Sequence, residues 1–159
     1  MKKEWERAIK TGDAMSAQAL LEDGAEINSK DRHGQSALMV ASMKGHTELV
    51  RLLVGRGAEL DTTAKYGLSA LMLAVINNHA EIVGILRAAG ANTEILGTGA
   101  PGFWNKTALD LAVSAGREEI ARLLGNSGDA PHGEEGVMEN RAGDPKKAEG
   151  AVGQGTVEK

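Results

Sequence analysis

The feature that most constrains the fold of this sequence is an eight-residue stretch that occurs three times. Residues 34–41 (GQSALMVA) return as residues 67–74 (GLSALMLA) and, more loosely, as residues 105–112 (NKTALDLA). The first step is 33 residues and the second is 38 residues. A period of this size predicts a repeat architecture, in which each unit is one small supersecondary structure packed against its neighbours.

Two series of turn-forming residues divide each unit into two short helices. The first series, with steps of 33, 33 and 38 residues, consists of Gly12, Gly45, Asn78 and Gly116. The second series has the same steps and consists of Gly24, Gly57, Gly90 and Gly128. Ser36, Ser69 and Thr107 can cap the start of a first helix, which would end at the first series. A second helix would end at the other series, where Gly permits a left-handed cap. In the amino-terminal unit we expect helices over about 4–10 and 15–22.

The second helices carry apolar residues at helical spacing. Leu49, Val50, Leu52 and Leu53 have counterparts one period later at residues 82, 83, 85 and 86. One unit cannot bury such a face alone, so the units are expected to stack. The sequence therefore predicts one domain over 1–128, with units at about 1–30, 31–63, 64–101 and 102–128.

Composition disfavours several classes of function. The net charge is −4 without a basic stripe, which disfavours nucleic acid as a partner, and there is no cysteine for disulfides or thiolate metal sites. No apolar run approaches the roughly 20 residues that span a bilayer. Histidines at helical metal-binding spacing are lacking, and we expect neither a metal nor another cofactor. A cytoplasmic protein is the default, and residues 129–159, which are poor in apolar residues, are predicted to be disordered.

The repeated residues resemble the ankyrin repeat family. Asp31-x-x-Gly34-x-Ser36-Ala37-Leu38, then Gly45-His46-x-Glu48-Leu49-Val50, and then Gly57-Ala58 follow the 33-residue consensus. The resemblance implies an all-α solenoid of helix pairs joined by hairpin-like loops. It also implies a non-catalytic protein–protein interaction module rather than an enzyme. The contact surface of such a module is usually its loop tips and the concave face of its first helices.

The resemblance places the partner-binding residues at variable, solvent-facing positions of this chain. On and beside the loop tips they are Arg32, His33, Gln35, Lys65, Tyr66, Leu68, Phe103, Trp104 and Lys106. On the concave face they are Met43, Lys44, Ile76 and Asn77, followed by Ser114 and Ala115. Apolar and aromatic groups on one exposed face favour a contact patch over ordinary surface. We expect a monomer whose protein partner offers room for aromatic anchors and acidic groups opposite the lysines and Arg32.

The sequence departs from the family pattern in two places. Met39, Met72 and Asp110 stand where the consensus has a histidine, which removes an inter-repeat hydrogen-bonding network. Five extra residues also lie within 96–104. This insertion could carry Phe103 and Trp104 toward a partner, or both rings could fold back over the last unit.

The insertion also leaves a second function open, namely a regulatory or small-ligand-binding protein that uses residues 96–104. A phosphate cradle over residues 97–102 is disfavoured, because Pro101 lacks an N–H donor and the flanking strand and long helix are missing.

Overall fold

The computed structural model describes residues 1–125, and within them the chain forms eight α-helices. In chain order these are α1 (Lys3–Thr11), α2 (Ala14–Glu22), α3 (Ala37–Lys44), α4 (Thr47–Gly55), α5 (Ala70–Ile76), α6 (Ala80–Ala88), α7 (Ala108–Ser114) and α8 (Glu118–Gly125). Consecutive helices pair, first helices pack on first helices, and second helices pack on second helices. The prediction of an all-α stack of helix pairs is confirmed. Gly128 and the predicted disordered tail, 129–159, lie outside the described residues.

Hydroxyl caps start three of the four first helices, as predicted. The side-chain oxygens of Ser36, Ser69 and Thr107 accept the backbone N–H of the residue three positions on, at 3.2–3.3 Å. At α7 the cap is reciprocal, because the carboxylate of Asp110 accepts the backbone N–H and the hydroxyl of Thr107, both at 2.9 Å. These hydrogen bonds lower the pKa of Asp110 below its ordinary value, because they favour the charged carboxylate.

Left-handed residues end the first helices and turn the chain into the second. Gly12, Gly45, Asn78 and Gly116 have φ between 62° and 80°. At Gly45 a side chain would also collide with a neighbour, because a Cβ there would lie 2.6 Å from Cε1 of His79. Glycine is thus required at this position for two independent reasons, backbone conformation and close packing.

Hydrogen bonds between units recur with the period of the sequence. Nε2 of His46 lies 3.2 Å from the carbonyl oxygen of Lys10, and Nε2 of His79 lies 3.2 Å from that of Met43. Because a carbonyl can only accept, each Nε2 carries the proton in this contact. In the last unit Arg117 replaces histidine and donates to the carbonyl oxygen of Ile76 at 2.8 Å. The units are therefore linked by side chains at the start of the second helices.

The core lies between the helix pairs and runs the length of the stack. It includes Leu49, Leu53, Ile82 and Leu86 of the second helices, all fully buried. Alanines at equivalent positions of the first helices, Ala41, Ala74 and Ala112, are also fully buried, which lets neighbouring helices approach closely. In the first unit Ser16 is exposed on the outer side, as a terminal repeat requires.

The loops between units are hairpin-like. Isolated antiparallel bridges join Lys30 to Ser36 and Thr63 to Ser69. In the first of these loops the carboxylate of Asp31 accepts the backbone N–H groups of His33 and Gln35, at 2.8 and 2.9 Å. Each of these loops therefore has a defined conformation, and the residues that precede a first helix lie at the tip of the loop.

Candidate functional site

Three ring-bearing residues occupy equivalent positions at the tips of successive loops. His33, Tyr66 and Trp104 are separated by the same 33 and 38 residues as the repeats. All three are exposed, Tyr66 with 37% and Trp104 with 64% of its surface accessible. We call these three residues, with the preceding Arg32, Lys65 and Phe103, the loop-tip face.

Tyr66 adopts a backbone conformation that is unusual for a bulky residue. Its φ and ψ are 65° and 19°, inside a short 3-10 turn over Lys65–Gly67. A non-glycine residue held in this left-handed region carries a conformational cost of order 1–3 kcal/mol. Sequence reasoning missed this strain, which marks Tyr66 as a residue held in place by its surroundings.

Three contacts hold Tyr66 in that conformation. Its carbonyl oxygen accepts the backbone N–H of Thr98 at 2.7 Å. Its ring lies 5.9 Å from that of Phe103, centroid to centroid, and Nζ of Lys65 lies 4.7 Å from its centroid. The aromatic and cation–π contacts each supply about 0.5–1 kcal/mol at partly exposed sites. The inserted segment therefore supports the tyrosine of the preceding loop.

The insertion folds back on itself and separates its two aromatic rings. Backbone N–H groups of Gly97 and Asn105 donate to the carbonyl oxygens of Lys106 and Gly97, at 2.9 and 3.0 Å. Phe103 is half-buried against the core, whereas Trp104 stays largely exposed. The two predictions for this segment were that both rings fold back over the last unit or that both extend toward a partner. Neither holds for both rings, because Phe103 folds back and Trp104 points away.

Several backbone N–H groups of the insertion are already paired and cannot bind a phosphate. The backbone N–H groups of Gly97, Thr98, Ala100 and Phe103 all donate to carbonyl oxygens. A Cβ at Gly97 would lie 2.3 Å from the carbonyl oxygen of Phe103, so the two sides of the loop are in close contact. A phosphate cradle needs unpaired N–H groups, and these four groups are paired.

An apolar groove lies between the loops that precede α3 and α5. It measures about 330 Å³ and is lined by His33, Gln35, Ala64, Lys65, Tyr66, Leu68 and Leu73. Sequence reasoning missed Ala64 and Leu73 as parts of this surface. Leu73 lies within α5 at the position of Val40 one repeat earlier, and because both are buried, the repeat pattern marks it as core.

The prediction that Leu68 faces solvent is wrong. Only 8% of its surface is accessible, because the extended backbone before α5 turns the side chain into the core. Leu68 contributes to the floor of the groove rather than to its rim. The accessible part of this residue is therefore small and apolar.

The remaining predicted contact residues divide between exposed and half-buried positions. Arg32, Lys44, Lys65 and Asn77 are exposed, whereas Gln35, Met43, Ile76 and Lys106 are half-buried. The amide nitrogen of Asn77 donates to the carbonyl oxygen of Leu73 at 2.8 Å, so this donor is already used within α5. On the first helices, Met43 and Ile76 offer apolar surface beside exposed polar residues.

Positive charge near the loop-tip face is not neutralised by ion pairs. Within residues 1–125, no ion pair is formed by Arg32, Lys44, Lys65 or Lys106. Nε of Arg32 instead donates to Nε2 of His33 at 3.2 Å. Arg32 and Lys106 interact electrostatically with the carboxylates of Glu6 and Asp110, whereas Lys44 and Lys65 remain available to acidic groups of a partner, although the whole chain is net negative.

Val113 is an exposed apolar residue that sequence reasoning also missed. It is 64% accessible, although Ile9, Ser42 and Val75 at the equivalent positions are buried. The helices that carry those three residues each pack against the next first helix in the stack, and within the described residues no first helix follows α7. Val113 is therefore exposed because its helix is the last described first helix in the stack.

Two further classes of feature are lacking among the described residues. In that range no group of three or more His, Asp or Glu side chains is arranged to hold a metal ion. None of the helices within residues 1–125 combines the length and apolar character needed to cross a membrane.

A comparison with protein families agrees with the repeat structure. The family model described as ankyrin repeats, with three copies, matches residues 6–97, more than half of the chain. The match ends at the start of the inserted segment. Among curated proteins no sequence matches the chain. Ankyrin repeat domains are generally protein-binding modules and typically non-catalytic. The chain belongs to the ankyrin repeat family.

Proposed function

We propose that this protein binds a partner protein through the loop-tip face and the adjoining face of its first helices, without catalysis. The observation that carries the proposal is the exposure of rings at equivalent positions of successive loops, above all Tyr66 and Trp104. Tyrosine and tryptophan dominate the binding energy of protein interfaces, where they act as rigid anchors of large area. A monomer in the cytoplasm remains our expectation for its state and location.

The support around Tyr66 is preformed. The hydrogen bond from Thr98 and the contact with Phe103 hold Tyr66, so little conformational freedom is left for binding to remove. Half-buried Met43 and Ile76 extend apolar surface along the first helices. A partner can therefore dock on a largely preorganised surface.

The alternative of a small-ligand site at the insertion finds less support. The groove of about 330 Å³ lies at the lower end of the range of roughly 300–1,000 Å³ for ligand pockets, and residues 96–104 do not line it. The alternative stays a prediction, and a metabolite that binds the native state would raise the melting temperature of the full chain.

Affinity capture tests the proposal. The full chain would be used as bait in a native lysate, beside a variant with Tyr66→Ser and Trp104→Ser. A matched control would carry Met15→Ser and Val113→Ser, which also remove two exposed apolar side chains but lie outside the loop-tip face. Circular dichroism would establish that all three baits are folded.

The loop-tip variant is expected to lose at least about tenfold in affinity, since one anchor is worth about 1–2 kcal/mol and 1.4 kcal/mol is tenfold. The control should retain the same partner as the unchanged chain. Retention of one partner by all three baits, or of none by any, would contradict the proposal.

A further inference from the structure

We infer that the partner contributes an extended acidic peptide segment, one of whose apolar side chains enters the groove between the loops before α3 and α5. This inference rests on the proposed function and names the kind of protein surface that fits it. It follows from three properties of the groove: its apolar floor, its cationic rim and an amide side chain on its wall.

The floor of the groove suits an apolar side chain. Ala64, Leu68 and Leu73 line it, and the leucines expose only 8% and 7% of their surfaces. The ring of Tyr66 forms one side. A volume of about 330 Å³ is too small for a docked helix or domain and suits one or two side chains, whose burial there is favourable.

The rim of the groove carries positive charge. Lys65 lines the groove, and Arg32 is bonded to His33, which also lines it. The groove-lining residues include no carboxylate to offset Lys65, whereas the charge of Arg32 is partly offset by Glu6 and Asp31 outside the lining. Because the chain as a whole is −4, this local positive charge is a property of the site and favours an acidic partner.

The wall of the groove offers hydrogen bonds to a peptide backbone. The side-chain amide of Gln35 lines the groove, is half-buried, and makes no hydrogen bond within the described residues. An amide can donate and accept at once, which matches the N–H and C=O of an extended residue. A helical segment would have used those backbone groups internally, so the extended form is favoured.

A random-peptide display library selected against the full chain tests this inference. We expect the enriched peptides to carry an excess of Asp and Glu around one recurrent Leu, Ile, Met or Phe. A synthetic copy of an enriched peptide should bind a Lys65→Glu variant at least about tenfold more weakly, because attraction becomes repulsion. It should bind an Arg122→Glu variant normally, since exposed Arg122 on α8 undergoes the same charge change away from the groove.

Salt dependence supplies a second measurement that needs no variant. Binding of the selected peptide should weaken as sodium chloride rises from about 0.05 M to about 0.5 M, because salt screens exposed charges. Peptides that are neutral or basic, or acidic peptides that bind Lys65→Glu as tightly as the unchanged chain, would overturn the inference.

The test separates this inference from the proposed function. Neutral or basic peptides that lose affinity for the Tyr66→Ser, Trp104→Ser variant would leave protein binding in place and remove the acidic partner. A library that yields no binder also overturns the inference, and the proposed function is then decided by the capture experiment.

Discussion

Replacing Gly45 by alanine tests how the units of the stack are joined. Gly45 has a φ of 80°, which an alanine adopts at a cost of roughly 1 kcal/mol. The new Cβ would also lie 2.6 Å from Cε1 of His79, so the ring must move. Displacement of the ring breaks its hydrogen bond to the carbonyl oxygen of Met43, a loss of about 1 kcal/mol.

The two effects together predict that Gly45→Ala lowers the free energy of unfolding by about 2 kcal/mol. Gly57→Ala is the matched control, because Gly57 has a φ of 82° but no atom lies within 4 Å of a Cβ built there. That control should lose only about 1 kcal/mol. Urea unfolding of the full chain, followed by circular dichroism, measures both values.

Equal losses in the two variants would refute the reasoning, since the contact with His79 would then contribute nothing. A double variant, Gly45→Ala with His79→Ala, separates the terms further. Once the ring is removed the added methyl group has no clash, so the double variant should lose less than the sum of the two single changes.

Three further predictions concern the end of the stack, a helix cap and the strained tyrosine. Val75→Ala should lower the free energy of unfolding by about 2 kcal/mol, whereas Val113→Ala should change it by less than about 0.5 kcal/mol in the same urea assay, because only Val75 is buried. In the folded state the pKa of Asp110 is lowered from its ordinary value of 3.8. The charged carboxylate therefore stabilises the protein above pH 3.8, and this contribution is lost as the pH falls below that value. Asp110→Asn should therefore reduce stability at pH 7, by less than about 1 kcal/mol for an exposed group, and the difference should vanish in acid unfolding curves. Tyr66→Gly should be more stable than Tyr66→Ala by about 1 kcal/mol in thermal unfolding, because both variants lose the ring but only glycine relieves the strain of the positive φ. Equal melting temperatures of the two variants would contradict the strain.

Most of the helical framework could be predicted from the sequence because its causes are local. Ser36 and Ser69 cap helices with their own hydroxyls, and Gly45 and Asn78 adopt left-handed conformations that few other residues tolerate. The 33-residue period then places each helix pair beside the next. These features need no knowledge of distant contacts.

The candidate site was less predictable because it depends on how neighbouring units meet. Leu68 follows a loop tip in sequence, yet its side chain belongs to the core. Val113 has buried counterparts, yet it lies on the last described first helix and has no cover. Neither outcome can be inferred from the pattern of a single repeat.

The insertion shows the same limit. Its composition predicts a loop, but its path depends on hydrogen bonds to Tyr66 and Lys106 in other segments. Those bonds decide that Phe103 is half-buried and Trp104 is exposed. The left-handed conformation of Tyr66 was equally unpredictable from the sequence, because the inserted segment maintains it.

The central claim is that a partner protein covers the loop-tip face, and hydrogen–deuterium exchange tests it most directly. The full chain would be measured alone and with the partner that the capture experiment identifies. The account predicts slower exchange in peptides that cover 64–68 and 97–106, with α4 and α6 unchanged. Slower exchange confined to α4 and α6, with those loops unaffected, would contradict it.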